Sequence, residues 1–215
     1  MKQEVQIRCK NNKKTEKVAI GSTLSDVFSQ FKLTLPYGPI CAKVNNKVEG
    51  MHYRVYHSKY VEFLNIQAPS ASRNYTRTLF FVLCKAVRDL YPKSYVIIDI
   101  PVSNGYYVNL QLGHPVTPTD VERIHQRIQE IIDAHLPIKR YEVPTEQAIT
   151  MFRERGDEAK AKLLESAGRL YTTYYEIYDY IDFYYGSLLT NTKKLYLFGL
   201  DKYYDGLLLR VPSIE

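Results

Sequence analysis

The chain has no tryptophan, only three cysteines in 215 residues and no long apolar run. Cys9, Cys41 and Cys84 are odd in number and far apart, which speaks against a disulfide framework. Each sits among apolar neighbours and reads as a small buried hydrophobe in a reducing compartment. The opening residues, Met1 to Val5, enter an alternating pattern with no apolar secretory segment. No stretch reaches the ~20 apolar residues of a membrane span, so a cytoplasmic location without a membrane partner is expected. Catalytic signatures are missing too: there is no G-x-x-x-x-G-K run, no G-x-G pair, no G-x-S-x-G and no H-E-x-x-H.

The histidines do not make up for this. His52 and His57 are five apart, a spacing that suits neither face of a strand nor one face of a helix. His125 and His135 are ten apart on a helix expected over 118–135, almost three turns from each other, and His114 stands alone. No zinc site is expected from them. Among the carboxylates, Asp99, Asp179 and Asp182 lie in apolar or aromatic strands, where burial would shift a pKa. Strand alternation makes an outward-facing carboxylate the default, and it sets Asp179 and Asp182 on opposite faces of one strand.

What is abundant is tyrosine, 20 residues of it, with a cluster at Tyr171, Tyr174, Tyr175, Tyr178, Tyr180, Tyr184 and Tyr185. Tyrosine is a good strand former that packs well, and its ring can also stack a base. Positive charge is in excess by +6, part of it near the start: Lys2, Arg8, Lys10, Lys13, Lys14 and Lys17. Such a group reads as a solvated lysine-rich turn or as contacts to a phosphate-bearing partner, with Lys10, Lys13, Lys14 and Lys17 the candidate nucleic-acid contacts.

Periodicity divides the chain. Val5, Ile7 and Cys9 alternate with polar residues, Asn11-Asn12-Lys13-Lys14 supplies a turn, and Val18 and Ile20 continue a second strand. Thr23 with Asp26 predicts a capped helix carrying Leu24, Val27, Phe28 and Phe31. Ile40, Ala42 and Val44, then 61–66, supply further strands, in the order of a β-grasp unit over 1–66. Residues 67–72 are small, polar and proline-containing, and mark a linker. Beyond them come a helix through Leu79–Leu90, strands over 95–100 and 106–112, and a helix started by Thr117-Pro118-Thr119-Asp120. A strand near 138–143, helices over 145–155 and 158–167, and a mostly extended stretch from Arg169 to Arg210 follow. The expected class is α+β: a β-grasp domain, then a second domain (73–200) with helices packed on an antiparallel sheet, then a C-terminal strand over 201–215.

Several segments share one resemblance. Gly21-Ser22-Thr23-Leu24-Ser25-Asp26-Val27 with Ala42-Lys43-Val44-Asn45 resembles the TGS domain of threonyl-tRNA synthetases. Leu90-Tyr91-Pro92, Ser103-Asn104-Gly105-Tyr106-Tyr107 and Thr117-Pro118-Thr119-Asp120-Val121-Glu122 resemble the editing domain that follows TGS in that family. Arg155-Gly156-Asp157-Glu158-Ala159-Lys160 and Tyr180-Ile181-Asp182 continue the likeness in the same order. In the family, the editing domain carries an H-x-x-x-H pair on its first helix and a C-x-x-x-H pair after Y-x-D. Counting from Leu90-Tyr91-Pro92 and from Asp182, the resemblance puts those four positions at Phe81, Lys85, Tyr184 and Leu188. All four are replaced, so it implies a degenerate site without metal, catalytic residues or cofactor. Lys160 and Asp182 stay in register as candidate pocket residues. The segment Tyr203 to Ser213 is similar to the junction where such domains precede a uridine kinase/phosphoribulokinase-type domain.

Three functional expectations follow. The first is a non-catalytic accessory module of a nucleoside kinase, binding RNA, a nucleotide or the kinase domain, with ATP and magnesium belonging to a domain beyond Glu215. The second is a free-standing tRNA-editing hydrolase using Asp182 as general base beside Lys160. The third is an RNA- or tRNA-binding module using the lysine-rich hairpin and the tyrosines.

Overall fold

In β1 (Glu4–Cys9) and β2 (Thr15–Ala19), Ile7, Cys9 and Val18 point to one buried face while their polar neighbours stay outside. The computed structural model describes residues 3–103 and 105–213, except the side chain of Asp99. The readings of Lys2, of Asn104 and of the Asp99 carboxylate therefore lie outside the described residues. Helix α1 (Leu24–Gln30) starts as the sequence predicts, with a reciprocal Thr23–Asp26 capping box, and buries Leu24 and Val27. Strands β3 (Cys41–Val44) and β4 (Lys47–Gly50) form a hairpin through Asn45 and Asn46, both at positive φ. With β5 (Lys59–Leu64), which runs parallel to β1, they complete a sheet of order β2-β1-β5-β3-β4, the β-grasp arrangement. The fourth strand is one that the sequence pattern does not signal.

Helix α2 (Pro69–Leu90) has Pro69 in its first turn, within the 67–72 stretch that composition marks as a linker. The helix predicted around Leu79–Leu90 is its second half. Strands β6 (Tyr95–Val102) and β7 (Gly105–Gln111) pair antiparallel, with a register shift between Ile98 and Ile100. Helix α3 (Pro118–Asp133) carries the Thr117–Asp120 capping box and buries Val121, Ile124, Ile128 and Ile131. It ends before His135, which stands past the C-cap at positive φ, so His125 and His135 do not share a helix.

The backbone groups into two compact units, Met1–Pro137 with Ser187–Glu215, and Ile138–Gly186. The second unit contains β8 (Lys139–Pro144), α4 (Thr145–Glu154), α5 (Glu158–Ala167), β9 (Tyr171–Ile177) and β10 (Tyr180–Phe183). Its antiparallel sheet has the order β10-β9-β8 and a core of Ala148, Phe152, Ala161, Leu164, Tyr174 and Ile181. The chain then returns to the first unit, where β11 (Gly199–Tyr203) and β12 (Gly206–Arg210) extend the sheet of β6 and β7 to the order β11-β12-β7-β6. The stretch 184–198 is irregular apart from an isolated bridge of Asn191 to Pro137 and one 3-10 turn at Thr192–Lys194, where a mostly extended chain was expected. The class is α+β, as the sequence predicts, with both later sheets wholly antiparallel.

Candidate functional site

Helix α2 presents Phe81 and Lys85 one turn apart, and both are buried. A lone buried ammonium would be costly, and here it is compensated. The Lys85 ammonium lies 3.1 Å from one carboxylate oxygen of Asp89 and 3.3 Å from the other. Asp89 also accepts from the Arg127 guanidinium of α3 at 2.8 and 3.0 Å, and Arg127 reaches Glu130 at 2.9 Å. A chain of alternating charges thus ties α2 to α3, ending with Lys85 in the interior.

Leu188, also fully buried, belongs to a segment fastened to the same helix. Asn74 donates from its side-chain amide to the Ser187 hydroxyl at 2.8 Å, and Arg77 donates to the Ser187 carbonyl at 3.1 Å. The Leu189 amide donates to the Thr78 hydroxyl at 2.9 Å, which itself donates to the Asn74 carbonyl. Gly50 of β4 abuts the Ser187 side chain so closely that a Cβ there would collide with it. The sequence reading missed this clamp. Its only local signal is Asn74 and Thr78, four apart on an otherwise apolar helix face.

The second unit holds the other polar set. The Lys160 ammonium of α5 stands 3.1 Å from Asp182 and 3.5 Å from Asp157, over the rings of Phe152 and Tyr180. Asp182 is buried, contrary to the outward-facing default for a strand carboxylate. It accepts from the Phe183 amide at 2.8 Å and the Tyr180 hydroxyl at 3.3 Å. Burial holds its carboxyl above the usual range, against the lowering pull of the Lys160 charge. Asp179 does not share its strand: it lies in the β9–β10 turn. Tyr184 is half-buried and meets the Tyr175 ring edge-on. Phe81, Lys85 and Leu188 therefore belong to the first unit, and Lys160, Asp182 and Tyr184 to the second.

The tyrosine cluster separates by burial. Tyr174, Tyr175 and Tyr180 are core residues, whereas Tyr171, Tyr178 and Tyr185 are exposed. On the β-grasp hairpin, Lys10, Lys13, Lys14 and Lys17 are all exposed. Lys10 pairs with Glu62 at 3.0 Å, Lys13 sits at the tip with positive φ, and Lys17 is placed opposite Gln6. Among the described residues no group of three or more histidines, cysteines or acids is arranged to hold a metal. None of their helices is long and apolar enough to cross a membrane. Cys9, Cys41 and Cys84 form no disulfide with one another, and the first two are buried.

No protein-family model matches the chain. It is similar to threonine–tRNA ligases: 29% identical over 181 residues to that of Syntrophotalea carbinolica, and 26% over 180 residues to that of a Geobacter species. To the enzyme of Clostridioides difficile it is 25% identical over 174 residues. These matches cover 83%, 84% and 80% of this chain but only 28%, 28% and 27% of the relatives, so the chain spans little more than a quarter of their length. The similarity thus runs over about four-fifths of this chain and over one part of those ligases.

Proposed function

We propose that this chain is a non-catalytic binding module, built from TGS-like and editing-like domains, in which the residues that a hydrolytic site needs have been replaced. The reading rests above all on Lys85. Where the resemblance puts a neutral imidazole of the editing site, a buried ammonium is committed to Asp89, and Asp89 in turn to Arg127. Phe81 and Leu188 offer no lone pair at two of the other positions, and the Tyr184 phenol is a poor substitute for a thiolate. Asp182 is the remaining candidate base for hydrolysis. Its carboxylate oxygens are engaged by Lys160, Tyr180 and the Phe183 amide, which favours a structural role over the free-standing hydrolase.

The ligand class that the similarity supports best is tRNA, since the relatives are tRNA ligases. The exposed Lys13, Lys14 and Lys17 supply the charge for phosphate contacts. Filter binding of tRNA across a salt series tests this. Binding weakens as salt rises, and the Lys13→Gln/Lys14→Gln/Lys17→Gln variant lowers the log–log slope by about 3. Absent or salt-independent binding, or an unchanged slope, contradicts the reading.

The similarity of Tyr203–Ser213 to a kinase junction supports a finer version, in which the module serves a uridine-kinase-type nucleoside kinase. ATP and magnesium then belong to that kinase domain. Sequencing the gene past the codon for Glu215 decides this version. A G-x-x-x-x-G-K-[ST] loop in the same reading frame is expected, and its absence sinks the kinase assignment while leaving the binding module untouched.

A further inference from the structure

The four-stranded sheet of the first unit has two unlike faces. One buries Val108, Leu110, Leu207 and Leu209. On the other, strand pairing sets Ile100 beside Tyr107 and Tyr107 beside Leu208, and the β11–β12 turn rises at its end. Together they enclose an open hollow of about 790 Å³ lined by Ile100, Val102, Tyr107, Tyr203, Tyr204 and Asp205. Neither the β-grasp lysines nor the editing-site positions take part in it.

Three tyrosine rings meet there at steep angles. Tyr203 and Tyr204 are 4.7 Å apart and nearly perpendicular, at 88°, and Tyr107 lies 6.1 Å from Tyr203 at 58°. The ring of Tyr107 crosses over Gly206, where any Cβ would strike both that ring and the β7 backbone. Glycine at 206 is thus what lets Tyr107 lie flat enough for its hydroxyl to donate to the Asp205 carboxylate. That hydrogen bond holds the Asp205 carboxyl below its ordinary range, so the group is ionised at neutral pH. The cations nearby are otherwise engaged. Arg210 pairs with Asp201 at 2.8 Å, and the Lys202 ammonium donates to the Tyr204 carbonyl. The Lys202 charge also pulls the Asp205 carboxyl down, though less than the Tyr107 hydrogen bond does.

A planar base needs parallel ring faces to be sandwiched, whereas rings at right angles make a corner whose π faces converge on a compact body. One carboxylate at such a corner selects a single positive charge, and an alkylated ammonium gives up its water more readily than a bare one. We propose that Tyr107, Tyr203, Tyr204 and Asp205 form a binding site for a small alkylated ammonium ion, with Ile100 and Val102 as its apolar floor. The site is independent of any RNA-binding role.

Choline, its uncharged tert-butyl isostere and a nucleoside are each titrated into the isotopically labelled protein, with the backbone amide of Gly206 as the NMR readout. Choline shifts that amide saturably, and the isostere binds about tenfold more weakly or not at all. Asp205→Asn and Tyr204→Leu each weaken choline about fivefold. Tyr204 is 81% exposed, so its loss leaves the rest of the amide spectrum in place as the check on folding. The proposal is overturned if choline gives no saturable shift by about 100 mM, if the isostere or the nucleoside binds as tightly as choline, or if both variants bind like the parent.

Discussion

Two lysines, Lys85 buried in the first unit and Lys160 half-buried in the second, meet carboxylates in opposite ways. Lys85 is sealed, with its side chain 4% exposed, yet its partner Asp89 is 24% exposed and shared with Arg127. Lys160 is 23% exposed while its partner Asp182 is the more buried member of the pair, at 12%. In the first pair the cation sits at the dry end of a charge chain that leads out to solvent. In the second a carboxylate is held indoors by one cation that still touches water. The contrast teaches where residual chemistry could persist: Lys85 fills its space, whereas Asp182 remains a group with an altered proton affinity.

Substitutions should separate the two. Lys160→Met leaves the Asp182 charge uncompensated and is expected to cost about 3 kcal/mol in urea unfolding, most of it recovered in Lys160→Met/Asp182→Leu. Lys85→Met should cost less, about 1 kcal/mol, because Asp89 keeps Arg127 and the methionine stem still fills the core. Equal losses at the two sites would erase the distinction drawn between them.

A smaller effect sharpens it further. The folded-state pKa of Asp182 is raised above its unfolded value, so folding takes up a proton there. The contribution of this group to stability is fully present below the unfolded aspartate pKa and is lost as pH rises through the folded one. The stability of the parent relative to Asp182→Asn should therefore fall across that window, measured by unfolding at a series of pH values. A difference that is flat or rises with pH would mean that Lys160 dominates the site.

The sequence made some of this plain and hid the rest for identifiable reasons. Both capping boxes were legible because Thr23–Asp26 and Thr117–Asp120 are local signals that owe nothing to tertiary contacts. Strand β4 was not, because Lys47-Val48-Glu49-Gly50 is a short edge strand with no alternating apolar face, although the Asn45-Asn46 turn before it was visible. The first turn of α2 reads as a linker because residues 67–72 are small and polar, and the bonds of Asn74 to Ser187 and of Thr78 to Leu189 reach more than a hundred residues along the chain. Phe81, Lys85, Tyr184 and Leu188 could be singled out only through the family likeness. That Lys85 is compensated could be read only in part. Asp89 is four residues on, but Arg127, which completes the chain, comes from another helix. For Asp182 the outward-facing default failed and the buried alternative held, because alternation assumes one open face and in β10 Tyr180, Ile181 and Asp182 are all covered.

The central claim is that the chain binds without hydrolysing. The direct measurement is the deacylation rate of seryl-tRNA(Thr) with the purified chain in large excess, beside the Asp182→Asn variant. The account predicts that both proteins leave the ester at its rate in buffer alone. Hydrolysis above that rate by the parent, abolished in Asp182→Asn, would contradict it and make Asp182 a working general base.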